Sequence, residues 1–291
     1  MMQTKEIGDE TYQVFEHYSQ LTLPMRIFKA LNGRADLSGY GIVGIAGVGK
    51  TSYAYYSVKV GYILYLCYDQ DIGLDDTVGC WNFITREYGD VCFGRKCKEP
   101  DAIDERLREF VFVSNEDIDR LNEYLKSLLS DGGARRLPIL FLDDLALKGL
   151  YHMGGRYREL HVMLKRLQQF RRTLARTVIV TAPTKDDLID VFGDFVFVHG
   201  DADSRKIWFI RWYAKKEKVT LKFHKGKFVN TYKTFFDIAW KDVIPRKSIF
   251  GMPKWLEEAI DARKRRILLD AFTRYEEAKR REEMRKGVVK S

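Results

Sequence analysis

No apolar run in this chain approaches the roughly 20 residues needed to cross a bilayer. The opening stretch, "MMQTKEIGDETYQVF", is polar and mixed in charge, unlike a secretory or transit peptide. A soluble, cytoplasmic protein without a membrane span is the expectation. Cysteine is scarce. Cys67, Cys80, Cys92 and Cys97 form no CxxC pair, and His152 lies far along the chain, so the common zinc spacings are excluded. Cys67 sits in an apolar run and reads as a core residue. Cys92 and Cys97 are close enough to pair if the protein comes from a hyperthermophile, where cytosolic disulfides occur. No segment repeats and none is of low complexity. The 291 residues, 45% hydrophobic and 31% charged, suit one large globular domain or one domain with an appendage.

Charge is unevenly shared. The stretch from Ser204 onward holds 25 of the 50 Lys+Arg and 11 of the 41 Asp+Glu. It therefore carries a net +14 and residues 1–203 a net −5. A polyanion is the natural partner for such a stretch; a solvated basic face is the alternative. "RKIWFIRWYAKKEKVTLKFHKGKF" (205–228) interleaves aromatics with basic residues. Trp212 with Lys215, Lys216, Lys218, Lys222, Lys225 and Lys227 are the candidates for single-stranded nucleic acid, DNA first.

Apolar patterning alternates strand-like and helix-like segments. Residues 10–31 read as one or two helices, with Pro24 beginning the second. "YGIVGIAG", "GYILYLCYD" (61–69), "EFVFVSN" (109–115), "LPILFLDD" (137–144), "TVIVTAP" (177–183) and "DFVFVHG" (194–200) read as strands. Helices are expected at 50–59, 75–88, 116–130 and 156–175, with a polar loop over 89–105. Such alternation implies a mostly parallel sheet with helices on both faces. After residue 200 two or three strands follow with only short turns, an antiparallel extension, and 254–286 reads as a charged helix. The expected organisation is an N-terminal helical segment (1–37), a nucleotide-binding domain with the basic hairpin (38–235), and a basic helical extension (236–291).

"GIAGVGKT" (44–51) carries the chemistry. Gly44-x4-Gly49-Lys50-Thr51 matches GxxxxGK[ST] in full. Glycines let backbone N–H groups curl around a phosphate, the lysine neutralises the outer phosphates, and the Thr hydroxyl serves Mg²⁺. Gly44, Ile45, Ala46, Gly47, Val48, Gly49, Lys50, Thr51 and Ser52 are the nucleotide-binding candidates. A magnesium–nucleotide site also needs a carboxylate at the end of another buried strand. Asp143 is the candidate for the metal and Asp144 for the base acting on water.

This order of motifs resembles the RecA-like P-loop ATPases, the recombinases with their clock-protein and replicative-helicase relatives. The likeness runs over residues 38–230, through "GIAGVGKT", "YILYLCYD", "FVFVSNEDIDRLNEYL", "ILFLDD", "GGRYREL" and "VIVTAP". It implies ATP and Mg²⁺ as cofactors, hydrolysis of ATP, assembly into a homo-oligomer and action on DNA. It further implies a base at the end of the second strand, here Asp69, as a rival to Asp144. Thr181 matches the polar sensor, and Arg156 and Arg158 are candidates for fingers reaching a neighbouring subunit's phosphates. Pro183 stands where the family often has a glutamine, and the short loop "TKDDLIDVFG" argues against strand exchange. A weaker resemblance is to the AAA+ initiators and helicase loaders, which would make a protein the main partner; residues 182–204 lack the arginine of that class. "TKDD" (184–187) fits a guanine motif, but no DxxG follows a strand and "AP" separates the motif from its own strand. A nucleotide-gated binding module with little hydrolysis is the non-enzymatic reading. The C-terminal helix reads equally as a protein-docking helix, a nucleic-acid arm or a surface helix laced with ion pairs.

Overall fold

The protein is described from a computed structural model, covering residues 2–33, 38–45, 47–93, 99–113, 115–130, 136–143, 175–183, 194–200, 204–224, 227–245 and 252–288. Its elements are α1 (Met2–Ser19), α2 (Thr22–Leu31), β1 (Ser38–Val43), α3 (Lys50–Tyr68), α4 (Thr77–Tyr88), α5 (Ala102–Arg108) and β2 (Val111–Phe112). They continue as α6 (Asn115–Ser130), β3 (Leu137–Leu142), β4 (Ala175–Ala182), β5 (Asp194–Gly200), β6 (Ser204–His224), β7 (Lys227–Pro245) and α7 (Lys254–Val288). The strands lie in the order β2-β3-β4-β1-β5-β6-β7. The first five in that order pair in parallel. The fold is thus α/β around a parallel sheet, as the alternating pattern implies. β6 runs antiparallel to β5, and β7 antiparallel to β6.

The chief departure from the sequence expectation is α3. "GYILYLCYD" is not a strand: it is the second half of a single helix from Lys50 to Tyr68. Every residue from Ser52 to Leu64 is buried, so the helix has no polar side and shows no 3.6-residue rhythm. A short apolar run of this kind cannot be assigned by periodicity. Gly61 marks the tightest packing: a Cβ there would meet Ile27 at 2.8 Å and the Pro24 carbonyl at 2.9 Å. α2 lies that close to α3, and this close approach gives the glycine its place in mid-helix despite its poor helix propensity.

α1 and α2, the N-terminal helical segment, pack into the core. Phe15, Tyr18, Leu23 and Ile27 are fully buried and join the α3 cluster. Pro24 falls in the first turn of α2, where its missing N–H costs nothing. The Thr22 N–H and hydroxyl both donate to the Asp242 carboxylate, each at 2.9 Å, which ties the start of α2 to β7. The expected boundary at residue 235 falls inside β7, so it divides a single strand.

Cys67 and Cys80 form a disulfide that joins the end of α3 to α4. Closing a loop this short contributes about 3 kcal/mol in the chain-entropy account. Cys67 is therefore a covalent staple on a helix, not a strand-core thiol. Cys92 is disulfide-bonded too; its partner lies outside the described residues. α5 begins inside the expected polar loop over 89–105 and runs on to Arg108; its N-terminus carries a reciprocal cap between Asp101 and Asp104.

A lysine is buried against that cap. Lys59, 1% exposed on α3, donates at 2.6 Å to Asp101, 2.7 Å to Asp104 and 3.0 Å to the Cys92 carbonyl. An ammonium has three donors, and here each has an acceptor. The Tyr55 hydroxyl adds a bond of 2.6 Å to Asp104, and the Cys92 N–H one of 3.0 Å to Asp101. Burial pushes the Asp104 carboxyl above its usual range, while Lys59 pulls it back.

Candidate nucleotide site

β1 ends at Val43 and α3 begins at Lys50, so the glycine loop joins a buried strand to a helix N-terminus. The first-turn N–H groups and the helix dipole favour an anion there. Gly44 is pressed against β5: an added Cβ would lie 2.5 Å from the Val198 carbonyl oxygen. Gly49 caps α3 with φ of 92°, a conformation that side chains avoid. Ile45 and Gly47 are exposed, Val48 and Ser52 are buried, and Ala46 lies outside the described residues. The Lys50 ammonium closes the loop on itself, donating to the carbonyls of Gly44 (2.7 Å) and Ile45 (3.1 Å).

Sheet order determines what meets this loop. β4 lies between β1 and β3, so the C-terminal ends of three adjacent parallel strands converge beside α3. Asp143, one residue beyond β3 and 2% exposed, accepts at Oδ1 from two hydroxyls. Thr51 of α3 donates at 2.7 Å, and Thr181 of β4, fully buried, also at 2.7 Å. Residues separated by 92 and 38 positions in sequence thus meet on one carboxylate oxygen. Thr51, Asp143 and Thr181 form one constellation, with Lys50 beside Thr51 in the chain.

A fourth element reaches it. Arg263 of α7 donates to the backbone carbonyl of Asp143 at 2.6 Å. The sequence holds no signal for this contact across 120 residues: Arg263 stands in a run of four basic residues, "RKRR", that reads as solvated surface.

Asp69 does not belong to the site. It caps the C-terminal end of α3 and is exposed, about 27 Å along the helix from Thr51 at 1.5 Å per residue. Its candidacy depends on reading 61–69 as a strand, and it falls with that reading. Asp144, Arg156, Arg158 and Lys225 lie outside the described residues. Trp212, Lys215, Lys216, Lys218 and Lys222 fall on β6 and Lys227 on β7. Trp212 is opposite Phe236, Lys218 opposite Tyr232 and Lys222 opposite Val229. Lys215 and Lys216 fall where the register shifts between Tyr213 and Glu217.

Among the described residues no group of three or more His, Cys, Asp or Glu side chains is placed to hold a metal. The donors present beside the loop are one hydroxyl, Thr51, and one carboxylate, Asp143, a hard oxygen set unlike the thiolate and imidazole ligands of zinc. It suits Mg²⁺, which keeps several waters and takes one or two carboxylates together with phosphate oxygens. Asp143 and Thr51 are the residues that would hold it. Asp143→Asn keeps an acceptor for both threonines but removes the charge. It is expected to raise the Mg²⁺ concentration for half-maximal turnover by roughly tenfold or more. The check is a Mg²⁺ titration of the hydrolysis rate, and an unchanged midpoint would remove Asp143 from the metal site.

No protein-family model and no curated protein matches the chain. No helix among the described residues is long and apolar enough to cross a membrane.

Proposed function

We propose that the protein is a P-loop ATPase with a RecA-like core that binds Mg·ATP at the β1–α3 loop and acts on nucleic acid. The observation that carries this reading is the meeting of Thr51, Asp143 and Thr181 beside a complete GxxxxGK[ST] loop. A glycine turn that bound nothing would have no use for a buried acid and a buried threonine brought to its first helical hydroxyl. In this reading the loop N–H groups and Lys50 hold the phosphates, with Lys50 leaving its two carbonyl partners to meet the outer ones. Mg²⁺, when bound, supplies charge stabilisation at the transferring phosphoryl group. Thr181, anchored to Asp143, is positioned to relate the phosphate end of the site to β4. Asp144, next in the chain after Asp143, takes the role of base.

The basic stretch after residue 203 supports nucleic acid as the partner. β6 and β7 sit at the sheet edge remote from β2, and this antiparallel pair carries Trp212, Lys215, Lys216, Lys218, Lys222 and Lys227. Assembly into a homo-oligomer belongs to the same reading. Its rival is a helicase-loader type of ATPase whose main partner is a protein. A hydrolysis assay with single-stranded DNA, duplex DNA and RNA separates these. Stimulation by nucleic acid that falls with salt is the expected result. A triple change of Lys215, Lys216 and Lys218 to Gln should also flatten the log–log salt dependence of binding, by about 0.7–0.9 for each phosphate no longer neutralised. Hydrolysis indifferent to every nucleic acid would favour the loader.

A further inference from the structure

α7 has a buried root and an exposed length. At the root, Leu256 is fully buried, Trp255 lies edge-on to Tyr55 at 6.0 Å, and Arg263 holds the Asp143 carbonyl. From Lys264 to Met284 every described side chain is exposed. That length is not purely polar: Leu268, Phe272 and Tyr275 are 58%, 64% and 68% exposed. Their spacings of four and three residues put them on one stripe of the helix. Continuing the same alternation upstream gives Arg265 and Asp261, and downstream Lys279 and Glu282. The seam so defined runs about 32 Å at 1.5 Å per residue, or three heptads.

The charges on this seam select its occupant. When two copies of the seam run parallel, equivalent positions meet. Asp261 then faces Asp261, Arg265 faces Arg265, Lys279 faces Lys279 and Glu282 faces Glu282, so every polar layer sets like charges together. When they run antiparallel about a two-fold between Thr273 and Arg274, Phe272 meets the partner's Tyr275. Arg265 meets the partner's Glu282, and the stem of the partner's Lys279 covers Leu268. Each contact occurs twice, as an isologous interface requires. A polyanion fits this face less well, because Asp261 and Glu282 lie at its two ends. We infer that α7 pairs two copies of this chain as an antiparallel helical dimer, with Leu268, Phe272 and Tyr275 at its centre and the Arg265–Glu282 pairs flanking them. This interaction surface does not depend on the ATPase reading.

Sedimentation equilibrium of the full-length chain tests it. The wild type should sediment with twice the mass of Phe272→Glu, at an unchanged melting temperature, because the side chain is outside the core. Arg265→Glu and Glu282→Arg should each raise the dimer dissociation constant by roughly tenfold. The double variant R265E/E282R should bring it back to within about threefold of wild type. Equal masses for wild type and Phe272→Glu would overturn the dimer. Singles that weaken it without recovery in the double variant would overturn the antiparallel register. A monomer of unchanged mass whose oligonucleotide affinity falls with Phe272→Glu would make α7 a nucleic-acid arm instead.

Discussion

Lys50→Ala is expected to lower ATP turnover by roughly 10²–10³ or more while the protein remains folded. Lys50 is the one basic residue in "GIAGVGKT", and its ammonium donates to the carbonyls of Gly44 and Ile45. Ile45 is exposed, so water can take over at its carbonyl, and the buried Gly44 carbonyl loses one hydrogen bond, typically about 1 kcal/mol. The fold should therefore survive, with the sheet order and the Thr51–Asp143–Thr181 contacts intact. Phosphate release measured beside a thermal melt separates loss of chemistry from loss of structure. A folded Lys50→Ala protein that hydrolyses ATP at close to the wild-type rate would remove the phosphate role from this loop.

Lys59→Met should have the largest effect on stability. Methionine fills much of the same volume, so the change mainly removes charge. It leaves Asp101 and Asp104, 5% and 3% exposed, without their cation. Breaking a buried ion pair on one side typically costs about 3–5 kcal/mol. For a chain of this size that lowers the melting temperature by roughly 10 °C. The pH dependence identifies the cause. Burial already raises the Asp104 carboxyl above its usual range, and removal of Lys59 raises it further. A carboxyl whose folded value exceeds its unfolded value loses stability as pH rises from below the unfolded value, about 3.9, through the folded one. The deficit of the variant against wild type should thus be smallest below about pH 4 and reach its full size at neutral pH. A deficit independent of pH would mean that packing, not charge, holds this cluster.

Most of the parallel sheet is legible in the sequence because its strands are short apolar runs bounded by turn residues. β3, β4 and β5 lie where "LPILFLDD", "TVIVTAP" and "DFVFVHG" place them. The expected second strand is a helix because α3 is buried on all sides, and full burial erases the periodicity that distinguishes helix from strand. The same error brings Asp69 into the site, since its candidacy comes only from its place at the end of a supposed strand. The loop and Asp143 are legible from local spacing. Their geometry is not: that Thr181 and Thr51 share one carboxylate oxygen follows from β4 lying between β1 and β3, which no local pattern encodes. Arg263 is hidden for a related reason, because a basic run on a charged helix looks the same whether or not one member turns inward. The Cys67–Cys80 bond needs α4 folded back on a full-length α3, and a helix ending at residue 59 leaves Cys67 on a strand with no such neighbour.

Whether Lys50, Thr51 and Asp143 form a Mg·nucleotide site is tested most directly by calorimetry. The full-length chain is titrated with a non-hydrolysable ATP analogue, with and without Mg²⁺. Saturable binding of one nucleotide per chain is predicted, tightening at least roughly tenfold with Mg²⁺ and abolished in Lys50→Ala. No binding by the wild type, or binding that neither Mg²⁺ nor Lys50 alters, would contradict it.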